Sequence, residues 1–90
     1  MKIKDGFVMR RFGDKWIAVA ADELADSHNV LITLNRTAAA MWELLSDESD
    51  YDTVLAGLLT RFDAEEAQVR ADLDRVLEML RKAGVLDEQR

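Results

Sequence analysis

The chain contains one histidine, His28, which lies beside Ser27 and two residues after Asp26. These residue types serve as base, nucleophile and orienting carboxylate in many hydrolases. Three neighbours in sequence cannot by themselves align a hydroxyl, an imidazole and a carboxylate for nucleophilic attack. We therefore expect His28 to be a solvent-exposed loop residue.

Carboxylates are the most numerous groups that could transfer protons. Four lie in one predicted turn and three lie off the apolar stripe of the last predicted helix: Asp47, Glu48, Asp50 and Asp52, then Asp72, Asp74 and Glu78. Nothing beside either group would shift a pKa, as a catalytic acid or base requires. A solvated acidic surface is the simpler interpretation.

Other reactive groups are missing or isolated. The absence of cysteine excludes disulfides, thiolate metal sites and a thiol nucleophile. The four glycines are too scattered for a phosphate-binding loop. Asn35-Arg36-Thr37 matches a glycosylation acceptor, but without a signal peptide we treat the match as chance. The sequence thus predicts no catalytic residues, no metal site and no cofactor.

Size and charge narrow the class of protein. Ninety residues, 49% of them hydrophobic, suffice for one domain, which we place at residues 1–90. The net charge is −6, and residues 36–90 carry thirteen acidic and seven basic side chains. This excess opposes phosphate backbones, so we expect no nucleic acid partner. No apolar segment approaches the roughly 20 residues of a membrane span, so we expect a cytoplasmic protein without a membrane partner.

The first part of the sequence predicts β-strands. Residues 7–12 and 16–20 are rich in β-branched and aromatic residues, and Gly13-Asp14 between them favours a tight hairpin turn. A third short apolar run covers residues 30–34 and is bounded by turn-forming residues. We therefore predict three strands, of which the first two form a hairpin.

The remainder predicts three amphipathic helices. Apolar residues recur at intervals of three and four within residues 36–46, 51–62 and 64–83. The resulting order, βββααα, belongs to the α+β class.

Polar residues mark where these helices begin and end. Asn35 can accept a hydrogen bond from the first turn of the first helix, and Ser49 or Asp50 can do so in the second. Asp63, followed three residues later by a glutamate, fits a capping box for the third. Gly84 is placed to end that helix.

Several short motifs stand together along nearly the full length of the chain. The most specific are Leu34-Asn35, Thr37-Ala38 and Trp42-Glu43-Leu44-Leu45, and the segment from Leu80 to Leu86 accompanies them. In these motifs the chain resembles the PqqD-like proteins, the recognition elements of pathways for ribosomally made, modified peptides. The resemblance implies a winged helix-turn-helix-like fold, a three-stranded antiparallel sheet followed by three helices. It also implies a protein without catalysis of its own, which binds the leader segment of a precursor peptide and presents it to a modifying enzyme, often a radical S-adenosylmethionine enzyme.

The resemblance further implies where the peptide binds. In such proteins the leader adds to the third strand and lays apolar side chains into a groove between that strand and the third helix. Here this points to Val30, Leu31, Ile32 and Thr33 for main-chain pairing, Val69, Leu73 and Val76 for the groove wall, and Arg70 for an acidic leader side chain. An unpaired strand edge offers the free N–H and C=O groups for such pairing. Ordinary core roles for the apolar residues and a solvated role for the arginine stay open.

Two features depart from the family's usual pattern. The turn after the first helix reads Asp47-Glu48-Ser49, where a glycine commonly follows an acidic residue. The loop before the third strand also lacks a glycine that is often found there. Both count against the pyrroloquinoline quinone pathway in particular.

Two other functions are compatible with such a fold. A winged helix-turn-helix domain can bind DNA, but acidic residues outnumber basic ones on the outward positions of the predicted third helix. The exposed strand edge could instead pair with a second copy of the chain and form a homodimer.

Overall fold

A computed structural model of the protein describes residues 1–20 and 31–88, so the predictions at His28 and Val30 lie outside the described residues. Within these ranges the chain forms five strands and three helices. The strands are β1 (Lys2–Ile3), β2 (Phe7–Phe12), β3 (Lys15–Ala20), β4 (Leu31–Leu34) and β5 (Leu86–Asp87). The helices are α1 (Arg36–Leu44), α2 (Tyr51–Arg61) and α3 (Glu66–Ala83). The predicted α+β order, a three-stranded antiparallel sheet followed by three helices, is confirmed.

The larger sheet has the antiparallel order β2-β3-β4. Gly13 and Asp14 form the two-residue turn between β2 and β3, with Phe12 paired to Lys15 across it. Gly13 has a φ of +64°, a conformation that glycine adopts readily and that two-residue hairpin turns require. The predicted hairpin is therefore confirmed.

β4 lies at the edge of this sheet and pairs antiparallel with β3. Trp16 is opposite Leu34, Ala18 is opposite Ile32, and all four side chains pack against the core. Thr33 alternates to the other face and is exposed. No strand among the described residues pairs with the second side of β4. Within the described residues, the strand thus combines an inward apolar face with a backbone edge that no strand pairs, which we call the free edge.

Side-chain caps begin α1 and α2. The amide of Ala38 donates to Asn35 Oδ1 at 2.8 Å, and the amide of Thr53 donates to Asp50 Oδ1 at 2.8 Å. Each bond satisfies an N–H group that the first helical turn leaves without an intrahelical partner. The predicted cap at Asn35 is confirmed, and Asp50 is the one of two candidates that caps α2.

The start of α3 differs from the prediction. The prediction of a capping box at Asp63 is wrong. The helix α3 begins at Glu66, and its N-cap is Glu65, whose side chain makes no capping hydrogen bond. Phe62 keeps an extended backbone, and the amide of Ala64 donates to its carbonyl oxygen at 3.1 Å. This turn uses the residues that the prediction had assigned to the first turn of the helix.

A second sheet, which the sequence pattern does not predict, joins β1 to β5. The two strands pair antiparallel, with Ile3 opposite Leu86. Gly84 ends α3 with a φ of +77°, as predicted, and Val85 and Leu86 then fold back and are buried. Strands of two residues carry too short a pattern to be recognised in a sequence.

One hydrophobic core lies between the larger sheet and the helices. Ala18 and Leu34 contribute to it from the sheet. Its fully buried large side chains come from the three helices and the residues that follow them: Met41, Leu45, Val54, Leu58, Leu73, Leu77, Leu80 and Val85. The core holds no polar or charged side chain of the described residues, so apolar packing stabilises it.

Replacing Asn35 by alanine should lower the free energy of unfolding by about 1 kcal/mol, because the amide of Ala38 loses its acceptor. Asn35→Asp keeps an acceptor and adds negative charge at the positive end of the helix dipole, so it should retain wild-type stability or exceed it. Urea denaturation followed by circular dichroism measures both variants. Wild-type stability in Asn35→Ala would show that the cap is unimportant.

Acid unfolding should depend on Asp50. Hydrogen bonding by the Thr53 side chain and backbone N–H lowers the pKa of this carboxyl, which corrects the expectation that nothing in this turn would shift a pKa. The stabilisation is therefore fully present above the ordinary aspartate pKa of about 3.9 and is lost as pH falls through the lowered pKa. Asp50→Asn can still accept the bond but cannot titrate, so its stability should fall less steeply between about pH 4 and 2 than that of the wild type. Denaturation at several pH values tests this, with Asp47→Asn in the preceding turn as the control; equal slopes in all three proteins would contradict it.

Candidate functional site

The candidate site begins with the free edge of β4, a strand of four residues. In an antiparallel sheet, successive residues alternate between bonding to the neighbouring strand and pointing their backbone groups away from it. One of Ile32 and Thr33 therefore presents its N–H and C=O groups to the free edge. A second extended chain can pair with those groups.

The predicted strand residues contribute unequally. Ile32 is half-buried against the core, whereas Thr33 is exposed on the other face of the sheet. The backbone of Leu31 is part of β4 and lies opposite Val19. The described part of the strand thus supplies a backbone edge with an apolar side chain directed inward.

The predicted groove residues of α3 are core residues. Leu73 is fully buried, and Val69 and Val76 are 4% and 6% exposed. They belong to the same cluster as Leu34 at the end of β4. A bound peptide could reach them only at the border of the core, and their contact with a peptide stays a prediction.

Arg70 is exposed but already has partners. Its Nε donates to Glu66 Oε2 at 2.9 Å, and its guanidinium lies 5.9 Å from the ring centroid of Tyr51. The hydrogen bond to Glu66 raises the pKa of Arg70. The Tyr51 hydroxyl donates to Asp74 at 2.7 Å. Arg70 thus lies on the flank of α3 that faces α2, and a peptide carboxylate would have to compete with Glu66 for it.

Phe62, between α2 and α3, lies close to the end of β4. Its ring is half-buried against the core, and the guanidinium of Arg36 lies 5.7 Å from the ring centroid. Arg36 follows Leu34 by two residues, so its side chain links the segment after β4 to this ring. In the sequence Phe62 is the last residue of the predicted second helix, 51–62, and no further signal marks it.

A cleft of about 590 Å³ opens at the same end of β4. It is lined by residues of the hairpin turn, β3, the end of β4 and the start of α1: Asp14, Lys15, Trp16, Thr33, Leu34, Asn35 and Arg36. Trp16 is half-buried and supplies an aromatic wall, and the guanidinium of Arg11 lies 5.4 Å from its ring centroid. The cleft therefore combines an apolar wall with a rim of basic side chains.

The acidic residues of α3 make polar pairs. Asp72 accepts from Gln68 at 3.1 Å and pairs with Arg75, Asp74 accepts from Tyr51, and Glu78 pairs with Arg81. In the described ranges, no three His, Cys, Asp or Glu side chains are placed to hold a metal ion. Nor is any helix of those ranges long and apolar enough to cross a membrane.

Within the described residues, a three-stranded antiparallel sheet packed on three helices defines an α+β fold. The family model described as Coenzyme PQQ synthesis protein D (PqqD) matches residues 15–86, and the chain belongs to this family. A solved structure, "TbiB1 in Complex with the TbiA(beta) Leader Peptide", is similar with a TM-score of 0.75 and 18% identity, and the similarity covers 100% of this chain and 99% of that chain. At this identity the comparison shows a shared fold. No curated protein matches the sequence.

Two opposing effects act on Arg36, the first residue of α1. A cation at the positive end of a helix dipole is unfavourable by about 0.3–1 kcal/mol, while stacking on the Phe62 ring is favourable by about 0.5–1 kcal/mol. Arg36→Gln should therefore change the free energy of unfolding by less than about 0.5 kcal/mol. Urea denaturation tests this, and a loss above about 1 kcal/mol would show that the stacking is mainly a structural contact.

Proposed function

We propose that this protein binds the leader segment of a precursor peptide as an added strand on β4 and presents it to a peptide-modifying enzyme. The observation that carries the proposal is the edge of β4 that no described strand pairs, beside the half-buried side chain of Ile32. Membership in the PqqD family supports it. The shared fold with a protein whose structure contains a leader peptide supports it as well.

Backbone pairing alone would not give tight binding. Two of the four residues of β4 face the free edge, so they offer about four backbone hydrogen bonds, roughly 2–6 kcal/mol in total. Association costs about 4–15 kcal/mol. Apolar side chains of the peptide must supply the difference by packing at the border of the core. The free edge of β4 would then pair with the backbone of many peptides. The packing of each peptide's apolar side chains at the border of the core would select among them.

A partner enzyme would catalyse the modification of the precursor peptide. Binding and alignment are all that the proposed strand addition supplies, so we infer that the protein is not an enzyme. The predicted partner is a radical S-adenosylmethionine enzyme or another peptide-modifying enzyme, which meets the precursor in the cytoplasm. A short precursor gene and such an enzyme gene beside this one would identify both ligands.

Strand addition predicts opposite outcomes for two adjacent proline variants, Ile32→Pro and Thr33→Pro. Proline removes an N–H donor. At the residue that bonds to β3 it breaks the sheet and should destabilise the fold, while at the other residue it removes only a donor of the free edge. One variant should therefore stay folded and bind the leader at least about tenfold more weakly. Calorimetric titration with a synthetic leader peptide from the neighbouring precursor gene measures this.

The matched control variants keep the backbone N–H that proline lacks. Ile32→Val and Thr33→Val preserve both N–H groups and should bind like the wild type, and circular dichroism identifies the folded proline variant. Wild-type affinity in a folded proline variant would place the peptide elsewhere. On α3, Leu73→Glu cannot test the groove because it would put a carboxylate into the core. Asp74→Ala is a poor neutral control because it would break the hydrogen bond from Tyr51. Lys82→Gln, at an exposed position, serves as the neutral control instead.

The same free edge favours a second candidate function, pairing with another copy of the chain. Sedimentation of the protein with and without the leader separates the two. A dimer that the leader dissociates would show competition for β4, while a dimer unaffected by a bound leader would use another surface. Duplex DNA is the negative control and should not bind at physiological salt, since acidic residues dominate the chain.

A further inference from the structure

The cations of the described residues differ in whether they have an acidic partner. Four arginines of α2 and α3 each pair with a carboxylate at distances of 2.7–3.2 Å: Arg61, Arg70, Arg75 and Arg81. The three cations around the cleft beside Trp16 make no ion pair with any residue that the structure describes: Arg11, Lys15 and Arg36. Lys4, Arg10 and Lys82 also make no ion pair within the described residues, but Arg11, Lys15 and Arg36 differ from them in lying around one cleft, at one end of the proposed peptide edge.

Aromatic rings hold two of these cations in place. The Arg11 guanidinium lies over the Trp16 ring and its Nε donates to the carbonyl oxygen of Gly13 at 2.8 Å, and the Arg36 guanidinium lies over the Phe62 ring. A guanidinium carries five N–H donors, and within the described residues Arg11 uses one of them, on Gly13, and Arg36 uses none. Donors of both groups therefore remain available to a carboxylate, and the aromatic contacts reduce the entropy lost when one binds.

We propose that this cleft binds an acidic residue of the leader and an apolar residue next to it. The carboxylate would accept hydrogen bonds from Arg36 and Lys15, and the apolar side chain would pack on Trp16. This inference rests on the proposed function and names the ligand chemistry of one part of the same site. Antiparallel addition continues the pattern of the sheet, and it would place the acidic residue N-terminal to the segment paired with β4.

Local charge, not the net charge, governs such a contact. The chain carries −6 overall, which disfavours acidic ligands at long range. At physiological ionic strength the screening length is about 8 Å, so a carboxylate inside the cleft interacts mainly with the groups that line it. Those groups are Lys15, Arg36 and the opposing Asp14, with Arg11 beside them. Three cations against one anion make the local field attractive.

Selection from an mRNA-displayed library of random peptides tests the proposal without knowledge of the natural leader. The wild-type protein should enrich peptides with Asp or Glu N-terminal to an apolar, strand-forming segment. The double variant Lys15→Glu/Arg36→Glu should lose this preference and bind an enriched peptide about tenfold more weakly. Replacing the peptide's acidic residue by lysine should restore affinity for the variant. Lys4→Glu/Lys82→Glu, which makes the same change of charge at exposed positions away from the cleft, should bind like the wild type.

Tryptophan fluorescence gives a second readout. Trp16 lines the cleft, whereas Trp42 is 5% exposed in the core, so the bound peptide should shift the emission of Trp16. The shift should be absent in Trp16→Phe. If the charge reversal unfolds the protein, Lys15→Gln/Arg36→Gln removes the cations without adding acidic groups and should also lose the preference.

The possible failures are distinguishable. In one outcome, the enriched peptides bind the folded proline variant of β4 more weakly than the wild type but show no preference for acidic residues. If charge reversal then changes their affinity less than about twofold, the acidic subsite is overturned and strand addition stays intact. Peptides that bind a folded proline variant like the wild type, or no enrichment at all, would overturn the proposed function and the subsite together.

Discussion

The hydrogen bond from the amide of Ala38 to Asn35 Oδ1 is the constraint on which the rest of the site depends. It ends β4 at Leu34 and begins α1 at Arg36, so an edge strand passes directly into a helix that packs on the core. The short connection keeps the free edge beside the helices. It also places Arg36 over Phe62 and lets the end of β4 meet Trp16. One capping bond thus determines where an extended peptide, an aromatic surface and a cation can come together.

The distribution of charge also differs between the strands before α1 and the part of the chain that starts with α1. Residues 1–20 carry five basic and two acidic side chains, whereas residues 36–88 carry six and thirteen. On α2 and α3 the arginines are partnered by carboxylates of the helices and of the residue after β5, as Arg61 with Glu43 and Arg81 with Glu88 illustrate. Exposed pairs of this kind contribute little to stability, about 0–1 kcal/mol each. Their clearer effect is to occupy the arginines of α2 and α3, whereas within the described residues the three cations around the cleft beside Trp16 make no ion pair.

The sequence predicts the elements well where local chemistry decides them. The turn at Gly13, the caps at Asn35 and Asp50 and the end of α3 at Gly84 each depend on a residue's own conformational or hydrogen-bonding preference. Before α3, two acidic residues, Asp63 and Glu65, can each precede the first helical turn, and local preference does not decide between them. The site is harder to predict. Apolar periodicity cannot distinguish a groove wall from a core, as the burial of Leu73 shows, and the cleft beside Trp16 joins segments whose proximity exists only in the folded chain.

The use of backbone hydrogen bonds at the edge of β4 has a kinetic consequence. A recognition protein that delivers its cargo must also release it, and differences in affinity among related complexes appear mainly in the dissociation rate. The four residues of this edge that the structure describes offer about four backbone hydrogen bonds, so under the proposed function the side chains seated at either end would set the lifetime of the complex. A modifying enzyme that displaces one of those anchors could accelerate release of the whole segment. Turnover along the pathway would then be tuned by single residues of the cargo, while the edge itself stays unchanged.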